Sequence, residues 1–245
     1  MKLLISIKNK TEALEIFKSE CDVIYDIKNP DEGSLGANFP TVISDIRDLL
    51  PEYVKISATI GDMPNLPGTA SLAAYGASML GVNFVKVGLF GVKTYSQTTF
   101  MLKKISESVK TFCPKVKVVA GVYADYKNIE SINISNIQKI AKNCNIDGIL
   151  MDTANKNKTK LFDFVKNDEL KEFVNKAHKY DLFVALAGSL DVNDVERIWS
   201  TGADIFGVRG AVCEKKDRKK GQLKKELVKE LYKKVNMFHS KTNLV

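Results

Sequence analysis

Short apolar segments alternate with helical patterns from one end of the chain to the other, eight times over. Strand-like runs fall at residues 3–7, 23–28, 54–59, 83–87, 116–121, 147–151, 182–187 and 204–208. Helical spacing of apolar residues follows each run: at 11–18, at 39–50, at 68–80, and in a long helix ending near Cys113-Pro114. It returns at 132–142, within 161–179, in a helix ending at Gly202, and at 221–238. Continuous apolar strands are what a parallel sheet buried on both faces requires. Eight such units without a linker, in 245 residues, predict an α/β fold of one particular kind. It is a single-domain (β/α)8 TIM barrel over 1–245, with a basic C-terminal helix at 221–238; a doubly wound open sheet is the alternative.

A barrel of this kind carries its chemistry where the strands end. The stretch Val23-Ile24-Tyr25-Asp26-Ile27-Lys28-Asn29-Pro30 dominates that mouth, because period two places Asp26 and Lys28 on one face near the strand's end. Two charges on an inner face are costly unless paired, so packing alone does not account for them. The loop that follows, Asp31-Glu32-Gly33-Ser34-Leu35-Gly36-Ala37-Asn38, is placed to fold over whatever Lys28 touches. Lys86 interrupts an otherwise apolar fourth strand, and a closed barrel has no edge to assign it to. Asp152 ends the sixth strand, with Lys156 four residues on. Asp152 would also serve as a helix cap, and the loop 155–160 is rich enough in lysine for solvation to be its default. Tyr25 fits either the core or a supporting position.

Three lysines crowded with two carboxylates have a chemical consequence. Repulsion and burial both lower a lysine's pKa and leave a neutral amine. Such an amine attacks a carbonyl to give a Schiff base, while a second lysine or a carboxylate moves protons. The residues alone leave the nucleophile open between Lys28 and Lys86. After the seventh and eighth strands come Gly188-Ser189 and Arg209-Gly210, the two loops with which barrel enzymes often hold phosphate. The expected ligand is therefore a small phosphorylated aldehyde or ketone, bound through Gly188, Ser189, Arg209 and Gly210. A class I aldolase or a triose phosphate isomerase would use the same parts.

Other functions are disfavoured. The chain has two histidines, His178 and His239, both in polar helical contexts, so proton transfer falls to Lys, Asp, Glu or Tyr. Cys21, Cys113, Cys144 and Cys213 are scattered with no C-x-x-C pair, which fits reduced thiols and argues against a zinc cage or a redox dithiol. No metal and no cofactor are expected. No apolar run approaches the roughly 20 residues of a membrane helix, and the N-terminus reads as a strand. A cytoplasmic protein without membrane contact follows. Most of the net charge of +8 lies from Glu214 onward, where eleven Lys and Arg face four acids. No aromatic interleaving or nucleic-acid motif accompanies that charge, so a solvated helix face is expected there, not a nucleic-acid site. A homo-oligomer is the expected assembly, its size left open.

At these residues the chain resembles the (5-formylfuran-3-yl)methyl phosphate synthase family of methanofuran biosynthesis in methanogens. The resemblance rests on Tyr25-Asp26-Ile27-Lys28-Asn29-Pro30 with Glu32-Gly33-Ser34-Leu35-Gly36-Ala37-Asn38, on Val85-Lys86-Val87-Gly88, on Met151-Asp152-Thr153 with Lys156, and on Gly188-Ser189-Leu190. It runs the length of the barrel. It implies condensation of two glyceraldehyde 3-phosphate molecules into a furan aldehyde phosphate, with loss of one phosphate and two waters. It also implies that Lys28 forms the Schiff base, that Lys86 accepts a proton, and that Asp26, Asp152 and Lys156 support them. The basic C-terminal segment matches no motif of the family.

Overall fold

Eight parallel strands close on themselves in chain order, so the open-sheet alternative does not hold. They are β1 (Lys2–Ile7), β2 (Ile24–Ile27), β3 (Ile56–Asp62), β4 (Phe84–Gly88), β5 (Lys117–Tyr123), β6 (Gly148–Asp152), β7 (Phe183–Leu186) and β8 (Ile205–Val208). Each is followed by a helix: α1 (Lys10–Phe17), α2 (Pro40–Leu49), α3 (Pro67–Ser78), α4 (Tyr95–Phe112), α5 (Ile137–Asn143), α6 (Asn167–His178), α7 (Val195–Trp199) and α8 (Lys225–Thr242). This computed structural model describes residues 1–129, 131–156 and 159–242. Asn157 and Lys158 of the lysine-rich loop, and the His239 side chain, lie outside the described part.

The period-two alternation of the strands sorts their side chains into two cores. Outward residues such as Ile5, Ile27, Ile56 and Val85 pack with the helices in one large cluster, and Tyr25, 2% exposed, belongs to it. Tyr25 is thus a core residue. Inward residues Leu4, Ile24, Val119, Leu150, Ala185 and Ile205 form a smaller cluster that fills the barrel. Above that layer the inward positions turn polar: Ser6, Asp26, Lys86 and Asp152 are all buried. The strand sequence itself therefore builds an apolar floor and a charged ceiling.

Some boundaries differ from the sequence reading. The strand expected to stop at Thr59 continues to Asp62, with its register against β4 shifting between Thr59 and Asp62. β5 runs two residues past Gly121. The helix expected from 221 begins at Lys225, because the preceding residues fold into a closed loop instead. Cys213 and Leu223 form an isolated antiparallel bridge, and the Glu214 N–H donates to the Gln222 carbonyl at 2.9 Å. α8 then buries Val228, Leu231, Val235 and Phe238, with the Phe238 ring 5.4 Å from that of Trp199. Lys229 and Lys233 stay outside that apolar stripe, the arrangement of an ordinary amphipathic helix. No helix among the described residues is long and apolar enough to cross a membrane.

The barrel has two mouths. The N-terminal one opens into a hollow of about 860 Å³ whose single lining carboxylate, Asp204, is taken by His178 and the Val184 N–H. Its lysines have no buried acid to work with. The C-terminal mouth is different.

Candidate active site

All nine residues singled out from the sequence line one cavity of about 360 Å³ at the C-terminal mouth. Two lysine–carboxylate pairs organise it. Asp26, from β2, pairs with Lys86, from β4; the two side chains are 1% and 3% exposed, and the Ser6 hydroxyl donates to the other Asp26 oxygen at 3.0 Å. Asp152, at the end of β6, pairs with Lys156, which also reaches the Thr153 hydroxyl at 3.2 Å. The turn that brings Lys156 back is fixed by Asp125, which accepts the Ala154 and Asn155 N–H groups at 2.8 and 2.9 Å.

Lys28 lies between these pairs, 6% exposed, its amine donating to the Ser34 carbonyl at 3.1 Å. Burial pushes its pKa down to about 7. The charges of Asp152 and Asp26 oppose that shift, while Lys86 and Lys156 add to it. Burial alone would raise Asp26 and Asp152, but their lysine neighbours outweigh it and hold both carboxyls below the ordinary range. Lys156 is lowered by burial despite Asp152. An amine near neutrality between two ion pairs can be a nucleophile while the pairs exchange protons.

The loop after β2 is a plug, not a flap. Leu35 is fully buried and joins the inner core, its side chain occupying the place that a Cβ on Gly121 would need. The Ser34 hydroxyl lies 3.0 Å from Asp152 and 2.9 Å from the Thr153 carbonyl and shares its one proton between these two acceptors, while the Ser34 N–H donates to Asp62 at 3.1 Å. Asp62 in turn accepts the Tyr123 hydroxyl, and burial raises the pKa of both groups. One loop thus carries the carbonyl that orients Lys28 and the hydroxyl that steadies Asp152. Leu35→Ala is expected to lower unfolding stability in urea by about 2–5 kcal/mol and to speed amide exchange across residues 29–38. Unchanged exchange there would show that the plug does not hold the loop.

Arg209 requires a correction. The sequence assigns its guanidinium to an anion, but the protein itself engages every nitrogen of it. It binds Glu12 through two nitrogens at 2.8 and 3.0 Å, the Ser6 carbonyl at 2.9 Å and, through Nε, the Arg218 carbonyl at 2.6 Å. Burial works against its charge, yet the bonds and charge of Glu12 raise its pKa above the ordinary value. This is a buried strut between β8, β1 and α1. Gly188 and Ser189 remain at the cavity wall, both with positive φ, 116° and 54°. A side chain at Gly188 would be strained by that backbone and would press on Leu161 and Thr153.

A family model described as 4-HFC-P synthase matches residues 3–232. The chain belongs to the 4-HFC-P synthase family. It is 45% identical over 231 residues to a (5-formylfuran-3-yl)methyl phosphate synthase of Methanocaldococcus jannaschii, covering 94% of this chain and 98% of that one. Against a relative of the same name from Methanococcus maripaludis strain C5 the identity is 44% over 233 residues, 95% and 98% of the two chains. Two solved barrels are similar in fold. The 3-hexulose-6-phosphate synthase of Salmonella typhimurium has a TM-score of 0.67 at 14% identity, covering 96% of this chain and all of its own. KGPDC from Streptococcus mutans has a TM-score of 0.65 at 12% identity, covering 96% and 97%.

Four residues of this 4-HFC-P synthase family site are not singled out by the sequence: Ser34, Asp62, Tyr123 and Arg218. Tyr123 has a usable signal, since Val119, Gly121 and Tyr123 share one strand face. Asp62 has none, because the register shift in β3 breaks the period before it.

Proposed function

We propose that the chain condenses two molecules of glyceraldehyde 3-phosphate into (5-formylfuran-3-yl)methyl phosphate, through an imine on Lys28. The observation that carries this reading is the Lys28 amine, buried and near neutrality between the Asp26–Lys86 and Asp152–Lys156 pairs. The names of the relatives support the product.

Lys86, with Asp26 beside it, carries a proton from C2 to C1 of the first triose through an enediol, which isomerises it to the ketone. The Lys28 amine adds to that ketone carbonyl, and water leaves to give the imine. A second deprotonation gives an enamine, whose carbon adds to the aldehyde of the second triose, and the alkoxide formed is protonated. Elimination of one phosphate, closure of a hydroxyl on the carbonyl and dehydration form the ring. The water lost on forming the imine is taken up when the imine is hydrolysed. One phosphate and two waters are lost in all, and Lys28 is regenerated.

Product analysis tests this reading. Purified protein with glyceraldehyde 3-phosphate should release one inorganic phosphate for every two trioses consumed and build up an ultraviolet-absorbing furan aldehyde. Accumulation of a non-absorbing hexose bisphosphate, with no phosphate released, would reduce the reaction to a simple aldol addition and overturn the furan step.

A further inference from the structure

We infer that Arg218, presented to the cavity by the closed loop between β8 and α8, binds the phosphoryl group of a substrate held at Lys28. This rests on the reaction proposed above and adds the residue that selects for phosphate. Arg218 lines the same cavity as Lys28 and Ser189, and among the described residues its Nη2 is buried without a hydrogen-bond partner. A buried donor left unmade is costly, and an oxyanion would offset that cost. The other cations of the cavity are committed. Lys86 and Lys156 pair with Asp26 and Asp152, and Lys160 and Lys216 both bind Asp191.

The backbone that carries Arg218 is held from several sides. Its carbonyl accepts Nε of Arg209, which Glu12 fixes in turn. The Asp217 side chain accepts the Lys219 and Lys220 N–H groups at 2.9 and 3.0 Å, and the Gly221 N–H returns to the Asp217 carbonyl at 3.0 Å. Burial lowers the Arg218 pKa, with Asp152 in partial compensation, so a dianion beside it would restore the charge balance. A guanidinium offers parallel donors to a phosphate, which an ammonium does not. Arg209 therefore acts at one remove, as the positioning residue for Arg218.

Calorimetric titration with inorganic phosphate at fixed ionic strength tests the assignment without the reaction. The wild-type protein should bind one phosphate, and Arg218→Gln and Arg218→Met should each weaken binding about 10- to 100-fold. Lys220→Gln, in the same loop, should bind as wild type. Thermal unfolding selects the folded variants, and the methionine variant keeps the apolar stem should glutamine disturb the loop. Borohydride trapping gives a second readout: the preference of Lys28 for glyceraldehyde 3-phosphate over glyceraldehyde should shrink in Arg218→Gln. Phosphate affinity within about threefold of wild type in a folded Arg218 variant, or no phosphate binding by the wild type, overturns the inference. Lost phosphate binding alongside an absence of furan product in the wild type would sustain Arg218 and refute the proposed reaction instead.

Discussion

Lys28→Met is expected to abolish furan formation, and borohydride with glyceraldehyde 3-phosphate should no longer add mass to the peptide carrying residue 28. The expected loss is about 10⁴-fold or more, because the covalent route disappears with its nucleophile. Lys28→Arg should be equally inactive, since a guanidinium stays charged. In the wild-type protein the rate at low substrate should rise with pH through about 7, as the buried amine loses its proton, and level off above. The same group has a stability counterpart of determinate sign. Between about pH 7 and the ordinary lysine range, the unfolded chain holds a proton at position 28 that the folded chain has released. Stability therefore rises with pH across that window, and Lys28→Met removes this part of the slope. Trapping of an adduct on Lys86 in place of Lys28 would reverse the two roles.

Lys86→Met should cost both stability and activity. It leaves the buried Asp26 carboxylate the Ser6 hydroxyl as hydrogen-bond partner and the nearby Lys28 but no ion-pair partner in contact, and removing one partner of a buried pair typically costs about 3–5 kcal/mol. Loss of the proton acceptor proposed above should slow turnover about 10²- to 10⁴-fold. The double variant Asp26→Leu with Lys86→Met separates the two effects. An apolar pair of similar volume should regain most of the stability in urea unfolding and none of the activity. Recovery of turnover in the double variant would show that the pair is structural and that protons move elsewhere.

The barrel is legible because its strands are apolar enough to be buried on both faces and recur at even spacing. The lysines and carboxylates are legible because a charge inside such a strand is costly unless it is paired and used. Arg209 misleads for a physical reason: its partner Glu12 lies 197 residues away, and nothing local tells a strut from a ligand-binding arginine. Arg218 is hidden for the opposite reason, in the run Lys215-Lys216-Asp217-Arg218-Lys219-Lys220, where each charge looks solvated. Only the closed loop distinguishes it from its neighbours. Asp62 is lost to a change of period, and Ser34 because a serine in a polar loop carries no signal of its own.

The Leu35 plug has a stereochemical consequence. It covers the mouth over β5, and Ser34 extends that cover to β6, whereas Ser189 and Gly210 line the cavity after β7 and β8. In the proposed reaction a planar enamine on Lys28 would be shielded on one face, and the second triose would approach from the other. The new carbon–carbon bond would then form with a single handedness. Aromatisation would erase that handedness from the furan, so a chiral choice built into the loop would leave no trace in the final product and survive only in an adduct intercepted before the ring closes.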